Sequence, residues 1–328
     1  MAAELTEASR SMNTKSVLVL GGGPDSERPV SIKSAHFIAE GLKASGKFSS
    51  VRNETIDRIT GSQLKALPGD VIFPALHGGW GEGGPLQDLL EADGRPFVGC
   101  KAAAARHAMD KVATKFSAVR VGIPTPECRV LDLRDSAPPL PLPAIIKPVH
   151  EGSTFGLFVC RTVKEWETAL TAIRADRSGP AADRAYIIEA CVSRPGGKKA
   201  RELTVGIIDG EPLPVIEITP ADGLYDYEAK YTRNDTTYTV APMLPGNVTQ
   251  TIQSQTAALA KAMGVRHLAR ADFMLDGDEP GATAWFLEIN TLPGFTDHSL
   301  VPMAARNIGQ EMPVLCSRLV QMAIRDHR

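Results

Sequence analysis

Short unbroken apolar runs and longer stretches of helical period alternate along the chain. SVLVL (16–20) reads as a buried strand opening onto GGGPDSE. Ile32, Ala35, Ile38, Ala39 and Leu42 then share one helical face. GDVIFPAL (69–76) is the next strand, and LQDLLEADG is a helix stopped by glycine. Strands alternating with helices predict an open parallel α/β sheet, with ligands at the carboxyl ends of its strands. KAAAARHAMDKVATKFSAVRVG reads as one helix. The proline-rich RDSAPPLPLP leads into the strand AIIKP (144–148), then EGSTFG, the strand LFVC, the helical KEWETALTAIRA and the strand YIIEAC (186–191). ELTVGII, EPLPVIEI, the polar loop DYEAKYTRNDTTY, a helix around 249–263, a hairpin and a C-terminal helix complete the chain. The fold class is α/β (α+β), divided as an N-terminal α/β domain over 14–100, a small α+β domain over 101–192 and a third unit over 193–328. Residues 1–13 bury no face and read as a frayed tail.

Composition narrows the function classes. The 328 residues are 43% hydrophobic and 23% charged, with net charge −2, the profile of a soluble globular protein. No basic footprint points to nucleic acid or an anionic membrane, and no apolar run approaches spanning length. Five cysteines are dispersed without a C-x-x-C pair, as expected of reduced thiols in the cytoplasm. MAAELTEASRSMNTK has no apolar core of a secretory signal.

Two phosphate-loop look-alikes carry little weight. GLKASGKF (41–48) fits G-x-x-x-x-G-K but lacks the Ser/Thr and falls at a predicted helix end, where a C-cap is the simpler reading. GGGPDS lacks the last glycine of G-x-G-x-x-G.

The stretch FLEINTLPGFTDHSL (286–300) places Glu288 and Asn290 inside an apolar strand. Buried polar side chains are costly unless something binds them. ARADFMLD (269–276) and TAWFLEIN (283–290) flank the turn-rich GDEPGA. With the turn centred near Pro280, Asp272 lies opposite Glu288 and Arg270 opposite Asn290, all on one face. Two carboxylates and a carboxamide are hard oxygen ligands that suit Mg²⁺ when phosphates complete its shell. Arg270 beside them can stabilise an oxyanion. The bland alternative is a solvated hairpin face, which leaves the clustering unexplained. Lys147 ends AIIKP, the loop 151–156 can close on phosphate through amides and hydroxyls, Glu189 ends YIIEA, and Lys111 adds a cation on a helix. Each is ordinary alone; together they form a nucleotide–Mg²⁺ site without a Walker motif.

With SERPVS (26–31), ALHG (75–78), MDK (109–111), IIKPVHEGSTFG (145–156), YDYEAKY (225–231), RADFMLD (270–276) and LEINTLPGFTDHSLVPMAAR (287–306), the chain resembles the D-alanine–D-alanine ligases of the ATP-grasp superfamily from about residue 15 onward. The resemblance implies a three-domain ATP-grasp fold, with ATP between two α+β domains, and two-step ligation of two D-alanines through an acyl phosphate for peptidoglycan synthesis. It implies that Glu27 holds the first ammonium, that Ser153 links to Glu27 and Tyr231, and that Arg270 and the Gly294 amide stabilise the tetrahedral intermediate. Ser299 and the Leu300 amide would take the second carboxylate, with His77 beside that amino acid. Lys111, Lys147, Glu189, Glu202 and Lys230 would contact ATP. Asp272, Glu288 and Asn290 would hold two Mg²⁺, with Mn²⁺ an alternative. A homodimer is also implied. The loop around Tyr231 would close as a lid, and tyrosine there favours the dipeptide over a D-lactate ester.

The chain departs from that pattern in the extra residues of SRPGGKKARELTV before Glu202, in Cys191, and in WGEGGPLQ and TFG. The competing readings are a ligase for D-alanine with D-serine or D-lactate, a non-ligase ATP-binding protein, and a nicotinamide dehydrogenase built on the GGG loop.

Overall fold

The computed structural model describes residues 14–152, 156–178, 182–221 and 235–327. Strand β1 (Ser16–Gly22) is followed by helix α1 (Arg28–Ser45), whose last turn is closed by Gly46 at φ 63. That left-handed cap is the C-terminal stop expected for GLKASGKF. Ala35, Ile38, Ala39 and Leu42 are buried as predicted, but Ile32 is 38% exposed. Ser31 and Ser34 occupy the buried face, and both are fully buried.

Strands β2 (Ser50–Ile56) and β3 (Val71–Pro74) flank β1, parallel to it, giving a sheet of order β2-β1-β3. The alternating pattern missed β2 because SVRNETI is an edge strand with only Ile56 fully buried. Between them lies α2 (Gly61–Ala66), and after them the short α3 (Gly78–Glu82) and α4 (Pro85–Asp93), which ends at left-handed Gly94 as expected. Leu18 and Leu20 pack with Leu64, Leu86 and Leu90 on one face of the sheet, while Val17, Val19 and Phe73 pack with Ile38 and Leu42 on the other.

The single helix expected over residues 101–122 is two, α5 (Ala102–Met109) and α6 (Lys111–Arg120). Asp110 leaves the helical region and its carboxylate accepts the N–H groups of Val112 (2.9 Å) and Ala113 (3.0 Å). An aspartate that caps a new helix is a break that apolar periodicity does not register.

Strands β4 (Cys128–Val130), β5 (Ala144–Pro148), β6 (Phe158–Cys160) and β7 (Tyr186–Ala190) form an antiparallel sheet of order β4-β7-β5-β6. Helix α7 (Val163–Arg177) covers it through Trp166, Leu170 and Ile173, and starts at a capping box of Thr162 with Glu165. The extra residues before Glu202 form a small hairpin of β8 (Ser193–Arg194) and β9 (Lys198–Lys199) around Pro-Gly-Gly.

A second antiparallel sheet follows. It contains β10 (Arg201–Ile208), β11 (Glu211–Pro212), β12 (Ile216–Pro220), β13 (Thr236–Val240), β14 (Leu268–Leu275) and β15 (Ala284–Asn290), in the order β13-β12-β10-β14-β15 with β11 beside β10. Helix α8 (Val248–Ala262) packs its Ile252 and Leu259 on this sheet. The single expected C-terminal helix is again two, α9 (Leu300–Asn307) and α10 (Met312–Arg325). Leu315, Leu319 and Val320 of α10 join Val17, Val19 and Ala35 in one core, so the end of the chain returns to the first sheet. Gly41 permits that approach: a Cβ there would lie 3.3 Å from the Met312 carbonyl oxygen. The fold is therefore mixed α/β, with one parallel and two larger antiparallel sheets. Among the described residues no helix is long and apolar enough to cross a membrane.

Candidate active site

The hairpin of β14 and β15 has the expected register, Arg270 opposite Asn290 and Asp272 opposite Glu288. It is not a plain ladder. Phe273 pairs with Phe286, so Leu287 is an extra residue bulged from β15. Strict alternation would put Phe286 on the face of Glu288 and Asn290. The bulge separates them: Ala284, Phe286 and Ile289 are buried in the core, while Glu288 and Asn290 face away. β15 is also the sheet edge, and residues 124–125 cover it at the bulge. The Phe286 N–H donates to the Pro124 carbonyl at 2.9 Å, and the Thr125 hydroxyl donates to the Phe286 carbonyl at 2.9 Å.

On the polar face the Arg270 guanidinium grips Asp272 with both arms, at 2.9 and 2.8 Å. The Thr204 hydroxyl on β10 donates to the same carboxylate at 2.6 Å. Glu202 lies two residues earlier on β10, on that same face. Lys111 Nζ is 3.5 Å from Glu288 Oε2 and donates to the Glu151 carbonyl. Glu82, Met109, Lys111, Gly152, Glu288 and Asn290 line one cavity. Among the described residues no group of three or more His, Cys, Asp or Glu gathers at one point. Asp272, Glu288 and Asn290 present hard oxygen atoms on this face, the donor chemistry that Mg²⁺ takes when phosphates and water complete its shell.

Beneath the cavity lies a buried charged cluster. Glu189 on β7 meets Lys147 on β5 at 2.6 Å and Lys115 on α6 at 2.9 Å. The Lys115 contact is off the hydrogen-bonding direction and acts chiefly through charge. Lys115 also donates to the Thr125 hydroxyl at 2.6 Å. Burial alone would raise the Glu189 carboxyl, but Lys147 and Lys115 hold it below its ordinary value. Burial pulls Lys147 down, yet Glu189 and Glu288 outweigh it and leave the ammonium above its usual range. For Lys111 and Lys115 burial prevails and lowers both. Lys111 and Lys115 are one helical turn apart, so the new helix set by Asp110 aims two cations at two carboxylates.

The remaining expected residues gather around the loop after β15. Glu27 immediately precedes α1 and is buried; a Cβ on Gly152 would lie 3.4 Å from its Oε2, so the phosphate-loop backbone runs against it. His77 precedes α3 and is 5% exposed. Its Nδ1 lies 3.0 Å from the Leu292 carbonyl and its Nε2 lies 3.3 Å from the Ser34 hydroxyl. Burial lowers its pKa, so the ring is neutral. Burial and the nearby Glu27 push Glu82 up to about 8, although the Gly78 N–H opposes this. The loop is pinned throughout: Leu292 N–H donates to Asn290 Oδ1 (2.9 Å), Phe295 N–H to Ser34 (3.2 Å) and Thr296 N–H to Ser299 (2.8 Å). The Gly294 N–H has no hydrogen-bond partner among the described residues. Ser299 precedes α9, whose first residue is Leu300, so a hydroxyl and a helix N-terminus adjoin. Ser153, Lys230 and Tyr231 lie outside the described residues.

Sequence reading missed Lys115, Thr204, Glu82 and Ser34. Lys115 had a usable signal, its i,i+4 spacing from Lys111. Thr204 and Ser34 gave none that distinguishes a hydroxyl aimed at the site from one bonded to its own helix or strand.

The chain matches the family described as the D-ala D-ala ligase C-terminus over residues 131–321. It is 36% identical over 306 residues to the D-alanine–D-alanine ligase of Stutzerimonas stutzeri (strain A1501), covering 91% of each chain. It is 38% identical over 315 residues to that of Dechloromonas aromatica (strain RCB), covering 94% of this chain and 98% of the other. The crystal structure of the D-alanine–D-alanine ligase from Bacillus anthracis complexed with ATP superposes with a TM-score of 0.77 at 28% identity, over 96% of this chain and 98% of that one.

Proposed function

Because the chain belongs to the D-alanine–D-alanine ligase family, we propose that it joins two D-alanines into D-alanyl-D-alanine for peptidoglycan synthesis, converting ATP to ADP and phosphate. The observation that carries this reading is the hairpin face. It gathers Arg270, Asp272, Glu288 and Asn290, and the strand then continues into a loop with the Ser299 hydroxyl and a Gly294 amide that has no partner among the described residues.

The chemistry follows from those positions. A carboxylate and ATP repel each other, so cations must hold them in contact. Lys111 and Lys147, paired with Glu288 and Glu189, supply the positive charge that holds the phosphates. Glu202 and Lys230 extend the nucleotide contacts. Asp272, Glu288 and Asn290 would hold Mg²⁺, which would supply charge neutralisation to the phosphates. Glu27 takes the ammonium of the first D-alanine, whose carboxylate accepts the γ-phosphoryl group to give an acyl phosphate. Ser299 and the Leu300 amide seat the carboxylate of the second D-alanine; its ammonium gives up a proton to solvent, the amine so formed attacks the acyl carbon, and the nitrogen loses its second proton to the departing phosphate. Arg270 and the Gly294 N–H face the oxyanion that forms, and phosphate leaves. Ser153 and Tyr231 belong with Glu27, and Tyr231 selects an amine as nucleophile. The assembly is a cytoplasmic homodimer whose chain divides near residues 100 and 192; the parallel sheet, the four-stranded sheet and the six-stranded sheet fall one to each part.

Phosphate release from Mg-ATP, with products identified by mass, tests the reading. D-Alanine should give phosphate and dipeptide in equal amounts, and L-alanine neither. D-Serine or D-lactate outcompeting D-alanine as second substrate would reassign the specificity. ATP binding without turnover in any mixture would overturn the ligase itself.

A further inference from the structure

We infer that the Ser34 hydroxyl is a positioning residue that fixes the Gly294 amide, acting through His77 and the Phe295 N–H. The inference rests on the proposed oxyanion role of Gly294 and extends it to a residue outside the substrate contacts. The Leu292 carbonyl can only accept, so the His77 Nδ1 that faces it at 3.0 Å carries the proton. The neutral ring then has an acceptor at Nε2, and the Ser34 hydroxyl 3.3 Å away donates to it. With its proton committed there, Ser34 Oγ accepts the Phe295 N–H at 3.2 Å. The result is a directed chain from Phe295 N–H through Ser34 and His77 to the Leu292 carbonyl. It grips the loop on both sides of Gly294, at residues 292 and 295. Pro293 has no N–H to offer, so between the two gripped residues the Gly294 N–H is the backbone donor left without a partner among the described residues.

Two consequences follow. Both ring nitrogens of His77 are engaged within the protein, so His77 acts by holding the loop and not by accepting a proton from the second amino acid. Ser34, fully buried on α1, also ties that helix of the first sheet to the loop that follows β15 of the last. Oxyanion donors work only when held in place before charge develops.

Ser31 provides an internal control. It lies one turn earlier on α1, is equally buried, accepts the Gly22 N–H (2.8 Å) and donates to the Ala75 carbonyl (2.8 Å), and has no bond to the loop. The experiment compares wild type, Ser34→Ala, Ser34→Cys and Ser31→Ala. It measures kcat, KM for ATP, and affinity for a dipeptide analogue with a tetrahedral phosphinate in place of the peptide carbonyl, set against affinity for D-alanyl-D-alanine. Displacing the donor should lower kcat about 10- to 100-fold in Ser34→Ala and weaken the phosphinate by a similar factor relative to the dipeptide. The ATP KM should stay within about 2-fold, since no nucleotide contact changes. Ser34→Cys, which keeps the packing but bonds weakly, should show a smaller loss in the same ratio. Ser31→Ala should lower the melting temperature while leaving the phosphinate-to-dipeptide ratio unchanged. An unchanged ratio in both Ser34 variants, or an equal change in Ser31→Ala, would overturn the inference. Wild type inactive toward D-alanine would instead overturn the reaction on which it rests.

Discussion

Glu189 is held by two lysines, and the arrangement decides what its removal or theirs would do. A buried carboxylate with one cation is poorly compensated; with Lys147 and Lys115 on its two oxygens it stays ionised and holds Lys147 in place. Lys115→Met keeps the stem and removes the charge. The ion triad survives in part through Lys147, so the stability loss should be about 2 kcal/mol, below that for a wholly broken buried pair. Lys147 would swing toward the vacated side of Glu189, and the KM for ATP should rise about 10-fold with kcat less affected. Urea titration and steady-state kinetics check the two parts separately. A KM unchanged by Lys115→Met would show that Lys147 needs only Glu189.

At the scale of elements, α6 is aimed by its cap. Asp110→Ala removes the acceptor for two backbone N–H groups and should cost about 1 kcal/mol in denaturant titration. The same variant should weaken ATP binding, because Lys111 is the first residue of the freed turn. Element positions were largely legible in the chain wherever one side was continuously buried: SVLVL, AIIKP, YIIEAC and the hairpin register could all be read. What could not be read was set by neighbours. The β2 strand shows polar side chains because it is an edge, and its pairing with β1 is a backbone property. The bulge at Leu287 was hidden because the turn-centre argument fixes which residues face each other, not whether an extra one lies between pairs. It changes which of Phe286 and Leu287 enters the core. Among site residues, Arg270, Asp272, Glu288 and Asn290 were found because polar groups in an apolar strand demand a reason. Ser34 was not, since a serine on a buried helical face is usually bonded to its own backbone.

Across the whole molecule, His267 joins distant parts of the chain. Its Nδ1 accepts the Gly99 N–H at 3.0 Å, Arg266 Nε donates to the Gly99 carbonyl at 2.7 Å, and its Nε2 faces Asp326 at 3.3 Å. Burial, with Arg266 beside it, lowers its pKa from 6.5 to about 4. A depressed folded-state pKa means that the unfolded chain takes up the proton first. The contribution of His267 is complete above about pH 6.5 and fades as pH falls toward 4, by up to about 3 kcal/mol. His267→Asn should flatten that acid limb in a pH series of urea titrations. Asparagine tolerates the φ of 64 at this position and can still accept from Gly99. An acid limb of the same height in the variant would assign it to other groups.

The closing of α10 against α1 has a consequence for synthesis. The face of the first sheet carrying Val17, Val19 and Phe73 is completed by Leu315, Leu319 and Val320. A ribosome releases those strands almost a whole chain length before the helix that covers them. For most of translation the nascent protein therefore presents an open apolar face, a natural substrate for chaperones and a point of vulnerability to premature termination.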